Sequence, residues 1–312
     1  MIAVPYEPAR REQLFALMRA VWGEEPKAEE FEWDFERNPT GPKLVTLVED
    51  SGETAGCGAM TFAPALVEGE EAIVPAAVWM ATHPEHRGKG VFQFVELENE
   101  RLSAEAGAPL AIGFTNPAAG PIYVAKLDWV DVYKPRLWAR VLRPVAAVQG
   151  LRGRGSGGGG LPPSTGARVE RFGPAEEASY RCVSAGWPSH VIRSAEHLNW
   201  RYAAAPKDYR LFSAPGGYAV LGHASHHGIS SAVVADLVAP GPREARALLR
   251  RCLREARGGA DVAIGIPPPG LAPAYLSLGF LPTHMTIRVI GKALTREVPR
   301  SWYFALGDTD IF

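Results

Sequence analysis

The sequence predicts an α/β fold made by tandem duplication of one α/β unit. Three observations lead to that expectation. Strand-like apolar runs alternate with helical patterns in both halves of the chain. The same landmarks recur in the same order in each half. Between them lies residues 150–166, GLRGRGSGGGGLPPSTG, a stretch with little that can fill a core and four consecutive glycines. The 312 residues suit about two ordinary domains, and 46% hydrophobic content supplies core material. The expected division is residues 1–148, a Gly-rich linker or loop at 149–166, and residues 167–312.

Taken in order, the first half opens with MIAVPYEPARREQ, which has no basic segment leading into a long apolar run, so no signal peptide is read. Glu32-Trp33-Asp34-Phe35 follows, with Pro39 six residues after the Trp, and then a strand-like segment at 43–48. Residues 78–92, VWMATHPEHRGKGVF, hold an apolar strand that ends at Pro84, an Arg-Gly-Lys-Gly turn and the start of a helix. The helical pattern is Val91, Phe94, Val95, Leu97 and Leu102. PLAIGF at 109–114 is a short apolar run suited to a buried strand. The second half repeats the scheme. Asn199-Trp200-Arg201-Tyr202 is followed by Pro206 at the same distance, a strand at 209–213, a strand at 232–238, a helix at 242–256 and a strand at 260–266. Tyr275-Leu-Ser-Leu-Gly-Phe280 answers Lys126-Leu127-Asp128-Trp129 of the first half.

The turn at 87–90 carries the chemistry. A strand, a glycine turn and a helix start make an anion site, because the first helical N–H groups are unpaired and the helix dipole adds positive potential. Gly88 and Gly90 let the backbone approach a bulky anion, and Arg87 and Lys89 add two cations. A Walker loop does not fit, since Gly90 follows Lys89 and His83 stands at the first glycine position. A dinucleotide fingerprint does not fit either, since Gln93 occupies its third glycine position. The remaining pattern, with Pro84 three residues before Arg87, resembles motif A of the GNAT acetyltransferase superfamily, written [QR]-x-x-G-x-[GA], and departs from it at Glu85. Asn116 and Tyr123-Val-Ala-Lys-Leu-Asp-Trp129 resemble that family's motif B, with one extra residue before Leu127 and Asp128 in place of glycine. The tail Trp302-Tyr-Phe-Ala-Leu-Gly307-Asp308-Thr-Asp310-Ile-Phe312 is similar to that of bacterial tandem GNAT proteins.

The resemblance implies two GNAT-like domains, each a mixed, mostly antiparallel sheet flanked by helices. Acetyl-CoA, or another acyl-CoA, would be the cosubstrate, without a metal, and an amine of a small molecule or peptide would attack its thioester directly. Met80, Ala81 and Thr82 would lie beside the pantetheine arm. Arg87, Gly88, Lys89, Gly90, Val91 and Phe92 would hold the pyrophosphate, and Asn116 would contact CoA. Tyr123 is the candidate acid for the leaving thiolate, since a phenol of pKa about 10 suits that task. His83, beside the loop and with an ordinary pKa of about 6.5, is the candidate base, and the acidic tail is a further one. The second copy has Ala-Pro-Gly-Pro-Arg at 239–243 where the loop should be, and proline offers no N–H. It is therefore expected to be degenerate, leaving the cofactor to the first domain. A homodimer in the cytoplasm is the expected setting. The competing expectation, motivated by Glu85 and Asp128, is a catalytically weak acyl-CoA-binding or scaffold module.

Other features point away from other functions. A net charge of −1 gives no broad attraction to nucleic acid or membranes. The three cysteines, Cys57, Cys182 and Cys252, are scattered and odd in number, which fits reduced thiols. The Arg-rich run 243–257 carries an apolar stripe of Leu248, Leu249, Cys252, Leu253 and Ala256, so it reads as an amphipathic helix. His223, His226 and His227 sit near glycines and read as a hairpin tip rather than a metal site. Trp22, Trp33, Phe35 and Trp79 are candidates for an acceptor pocket, although such side chains more often fill cores.

Overall fold

A computed structural model describes residues 1–115, 119–152, 160–164, 168–226 and 228–309. Within it the chain forms two compact units. Unit 1 is Met1–Tyr133 with Arg288–Ser301, and unit 2 is Lys134–Ile287 with the segment that begins at Trp302.

Unit 1 starts with β1 (Ile2–Pro5), α1 (Arg11–Trp22) and α2 (Ala28–Phe31), which runs into a π-helical turn at Glu32–Glu36. It continues through β2 (Leu44–Asp50), β3 (Glu53–Val67), β4 (Glu70–Thr82), α3 (Val91–Glu105), β5 (Leu110–Thr115), α4 (Gly120–Lys126) and β6 (Val130–Tyr133). Strand alternation gives the sheet two apolar faces. Val45, Leu47, Cys57 and Ala59 pack with Leu14, Phe15, Leu17 and Met18 of α1. On the other face Val48 packs with Val91 and Val95 of α3. Burying four such α1 side chains is worth on the order of 1.5–3 kcal/mol each.

Unit 2 comprises β7 (Arg136–Val141), α5 (Pro144–Leu151), α6 (Pro174–Ser184), β8 (Ser189–Val191) and α7 (Ala195–Leu198), which enters a second π-helical turn at Asn199–Ala203. Then come β9 (Arg210–Ala214), β10 (Gly217–His226), β11 (Ile229–Val238), α8 (Pro242–Ala256), β12 (Val262–Gly265), α9 (Ala272–Ser277) and β13 (Leu281–Thr286). The chain returns to unit 1 for β14 (Arg288–Ala293) and ends in unit 2 with β15 (Trp302–Tyr303).

From β2 to β6 the sheet of unit 1 has the topology of the whole unit 2 sheet, and β1 is an addition at its edge. Unit 1 has the order β1-β2-β3-β4-β5-β14-β6, and unit 2 has β13-β7-β12-β11-β10-β9. In each, one neighbouring pair is parallel, β4 with β5 and β11 with β12, and the other pairs along these orders are antiparallel. The mixed sheets flanked by helices are those expected. The repeated Trp-x-aromatic motif folds into the same π-helical turn twice, burying Trp33 and Phe35 in one unit and Trp200 and Tyr202 in the other.

Two features differ from expectation. The division between units falls after Tyr133, ahead of the expected linker at 149–166. The reason is a strand exchange. β7, from the first half of the sequence, pairs with β12 and β13, while β14, from the second half, pairs with β5 and β6. Leu97, expected on the apolar stripe of α3, is 53% exposed, because the buried stripe is instead Val91, Val95, Glu96, Asn99, Glu100 and Ser103.

Candidate active site

β4 is paired with β3 along its length, from Glu70 opposite Val67 to Thr82 opposite Gly56. The register slips between Cys57 and Ala59, so that Gly58 faces both Trp79 and Met80. This β-bulge bends the strand. Trp79 takes φ 53°, a left-handed conformation rare for a bulky residue. Its carbonyl accepts a hydrogen bond from Cys57 Sγ at 3.3 Å. On the other edge, β4 is in register with β5 only at Ala76 and Ile112. Both strands continue beyond that point, β4 to Thr82 and β5 to Thr115, with no further paired residues among those described. The parallel strands part, and the backbone of residues 77–82 faces the opening without a strand partner. Met80 turns its side chain toward α3, with Sδ beside Gly58, while Ala81 is buried on the α1 face.

The opening leads to the loop. His83 N–H bonds Ala55 O at 2.9 Å, and its Nδ1 accepts from Glu85 N–H at 3.4 Å, capping a tight turn at Pro84–His86. The Glu85 side chain is exposed, so the departure from the family pattern points a carboxylate into solvent. Gly88 and Gly90 both take left-handed φ, 79° and 82°. A Cβ at Gly88 would meet nothing within 4 Å, and one at Gly90 only Gln93 Oε1 at 4.0 Å, so the glycines serve backbone conformation and leave room above the loop. Arg87 and Lys89 are exposed and, among the described residues, have no ion-pair partner. No side chain caps α3, and no acidic residue lies in its first turn. Its first backbone bond runs from Phe94 N–H to Gly90 O at 3.0 Å, so the preceding N–H groups point out of the helix start. The fit to a phosphate-bearing ligand is therefore one of space, dipole and charge together.

Behind the opening sits Tyr123 on α4. It is buried, edge-on to Phe92 and Trp129 with ring centroids 5.1 and 4.9 Å away, in a cluster that also includes Ala77 of β4. Its hydroxyl donates to Glu96 Oε2 at 3.4 Å. Burial and the nearby Glu100 push the Glu96 carboxyl up to about 8. The Tyr123 hydrogen bond and the Lys292 charge oppose the shift. Glu100 is also raised by burial, although Trp129 Nε1 donates to it at 2.7 Å and Lys292 Nζ lies 3.5 Å away. Asp128 takes φ 56°, close to the φ 77° of Gly279 at the matching place in the repeat, a conformation that Asp tolerates better than most residues.

The structure thus brings Met80, Ala81, Thr82, His83, Arg87, Gly88, Lys89, Gly90, Val91, Phe92 and Tyr123 to one end of the unit 1 sheet. Asn116 lies outside the described residues, as do His227 and residues 310–312 of the tail. His223 and His226 lie on the β10–β11 hairpin, where His223 Nε2 meets Ser230 Oγ at 2.9 Å. Trp33 and Phe35 are core, whereas Trp22 is exposed and stacks edge-on against Trp79 at 5.7 Å. Among the described residues, no group of three or more His, Cys, Asp or Glu is placed to hold a metal, and no helix is long and apolar enough to cross a membrane. Glu96, Glu100 and Lys292 were not expected from sequence. The signal available was the comparison of α3 with its repeat α8, where an apolar stripe stands in place of these carboxylates.

The family model described as an acetyltransferase (GNAT) domain matches residues 5–129. No curated protein sequence matches the chain. Among solved structures, Eis1 from Mycobacterium abscessus is similar with 18% identity and a TM-score of 0.60, over 95% of this chain and 74% of that one. A GCN5-related N-acetyltransferase from Anabaena variabilis ATCC 29413 gives 12% identity and a TM-score of 0.64, over 94% of this chain and 72% of that one. A probable N-acyltransferase from Enterococcus faecalis V583 gives 14% and 0.64 over the same shares. At such identities the likeness is one of fold. Motif, topology and family match agree that residues 5–129 form a GNAT acetyltransferase domain.

Proposed function

We propose that unit 1 is an acyl-CoA-dependent N-acyltransferase that moves an acetyl group from acetyl-CoA to an amine of a small molecule or peptide. The observation that carries this reading is the parting of β4 from β5, which ends at an open glycine loop and an uncapped helix start. N–H groups from Gly88 to Phe92 receive the pyrophosphate, with Arg87 and Lys89 adding charge. The free edge of Met80, Ala81 and Thr82 runs beside the pantetheine arm, and Asn116 adds a CoA contact. The neutral amine attacks the thioester carbon, and Tyr123 protonates the departing thiolate. His83 stands beside the loop, but its Nδ1 caps the turn at Glu85, so service as the base requires that bond to open. Glu85 and Asp128 no longer favour a binding-only module, since one faces solvent and the other holds a backbone conformation close to that of Gly279 in the repeat.

Titration calorimetry with acetyl-CoA tests the loop. The Gly88→Glu and Gly90→Glu variants place a carboxylate where the pyrophosphate would sit, and each should weaken binding at least on the order of a hundredfold. Unchanged affinity in folded variants would show that the loop is not the cofactor site. Thiol release measured across a panel of amines tests turnover, and binding without release above the hydrolysis rate would favour the binding module.

A further inference from the structure

The buried stripe of α3 is polar where a core should be apolar. Glu96, Asn99 and Ser103 are fully buried and Glu100 nearly so. Glu96 Oε1, Asn99 Nδ2 and Ser103 Oγ have no hydrogen-bond partner among the described residues. Burying such groups is costly. The fold itself does not demand it. The buried stripe of α8 has the same spacing, and matching the two pairs Glu96 with Leu249, Asn99 with Cys252, Glu100 with Leu253 and Ser103 with Ala256. The repeat also keeps a buried tyrosine on the next helix, Tyr275, whose hydroxyl has no partner among the described residues. The unit with the phosphate loop has carboxylates behind its tyrosine. The unit that lacks the loop has leucines in those places.

From this contrast and the Tyr123–Glu96 hydrogen bond, we propose that Glu96 is a positioning residue that orients Tyr123 and returns a proton to it when CoA leaves. The inference rests on the reading of Tyr123 as the acid. As the C–S bond of the thioester breaks, its electron pair goes to sulfur. The Tyr123 hydroxyl turns from Glu96 toward that sulfur, and its proton moves there and forms the S–H bond. The Glu96 carboxyl O–H then breaks and its proton moves to the phenolate oxygen, which leaves Glu96 as a carboxylate. Solvent restores that proton before the next turnover. The titratable and charged groups that face Glu96 are Tyr123 from α4, Glu100 from its own helix and Lys292 from β14. Burial and Glu100 hold the carboxyl in its protonated form near neutral pH, and Lys292 offsets the charge when the proton leaves.

The test uses the full chain, acetyl-CoA as the only substrate and water as the acceptor, because hydrolysis releases the same thiolate. Enzyme-dependent thiol release by the wild type should decline as pH rises through about 8. Glu96→Gln should lower kcat on the order of tenfold, abolish that limb and leave KM nearly unchanged. The same change in a Tyr123→Phe background should have no effect. A turnover-free readout is a carbon-13 titration of the Glu96 carboxyl, which should titrate far above the ordinary carboxylate range and shift in Tyr123→Phe. Glu96→Leu, which copies the repeat, keeps the fold in hand and, having lost the hydrogen bond as well as the proton, should be slower than Glu96→Gln. If Tyr123→Phe leaves release unchanged, the acid assignment fails and the inference goes with it. If Tyr123→Phe slows release but Glu96→Gln keeps both the rate and the limb, only the Glu96 role is overturned. A Glu96 carboxyl that titrates in the ordinary range, or that ignores Tyr123→Phe, overturns it as well.

Discussion

At the residue scale, the buried carboxyl of Glu96 links the site to stability. Its folded pKa, about 8, lies above the ordinary 4.5. Between those values the native state holds a proton that the unfolded chain releases, so stability falls as pH rises through the window and levels off above it. At about 1.4 kcal/mol per unit the full span is on the order of 5 kcal/mol. Denaturant unfolding of the wild type should therefore show lower stability at about pH 8 than at about pH 5.5, and Glu96→Gln should flatten most of that slope. An equal slope in both proteins would contradict the burial of this group. Asp128 gives a second expectation. Its left-handed backbone favours glycine, so Asp128→Gly should change the unfolding free energy by no more than about 1 kcal/mol, while Asp128→Val should destabilise by roughly 1–2 kcal/mol. Thermal melts of the two variants separate these outcomes.

At the scale of elements, the segment after β14 is held in unit 2 by pairing of β15 with β8, by buried side chains from Trp302 to Leu306 and by ion pairs. Arg193 is fully buried, with Nε 3.1 Å from Asp236 and Nη2 2.7 Å from Asp308. Arg201 donates to Gly307 O at 2.6 Å and to Thr309 O at 2.9 Å. Removing the shared cation leaves two buried carboxylates facing each other, so Arg193→Met should cost about 3–5 kcal/mol. The segment from Trp302 should also gain protease sensitivity, which limited proteolysis followed by mass spectrometry would reveal. Elements of this kind differ in how far the sequence discloses them. The glycine loop proposed to hold phosphate was legible as a strand–turn–helix because its parts are contiguous: the strand end, two glycines, two cations and the helix start fall between Met80 and Phe92. The π-helical turns were legible as a repeated motif, though not as π-helices. The α3 stripe was not legible, because Glu, Asn and Glu at helical spacing normally mark a solvated face. Only the packing of Tyr123, Trp129 and Lys292 around it shows that this face points inward. Leu97 was misplaced for the same reason.

At the scale of the molecule, the sequence pattern located strands but not the sheets they join. Apolar alternation in β7 and β14 is satisfied equally by either sheet, so the exchange between halves is visible only in the pairing. It has a consequence for folding. β14 lies between β5 and β6, in register with β5 from Arg288 opposite Thr115 to Ala293 opposite Leu110. Without it, β5 becomes a bare edge and β6 loses the partner it has in the unit 1 sheet. Residues 1–133 contain the whole proposed cofactor loop, yet as an isolated polypeptide they should not fold stably. The remedy follows from the pairing. Tyr133 lies opposite Val289 in an antiparallel pair, so a short Asn-Gly-containing turn can join Tyr133 directly to Arg288. A chain of residues 1–133, that turn and residues 288–301 should show a cooperative melt and bind acetyl-CoA, while residues 1–133 alone should show neither. Circular dichroism melts and calorimetry decide the matter. Cooperative folding of residues 1–133 without β14 would mean that the exchanged strand is dispensable to unit 1. Failure of the joined chain would mean that unit 1 depends on more of the molecule than its own sheet.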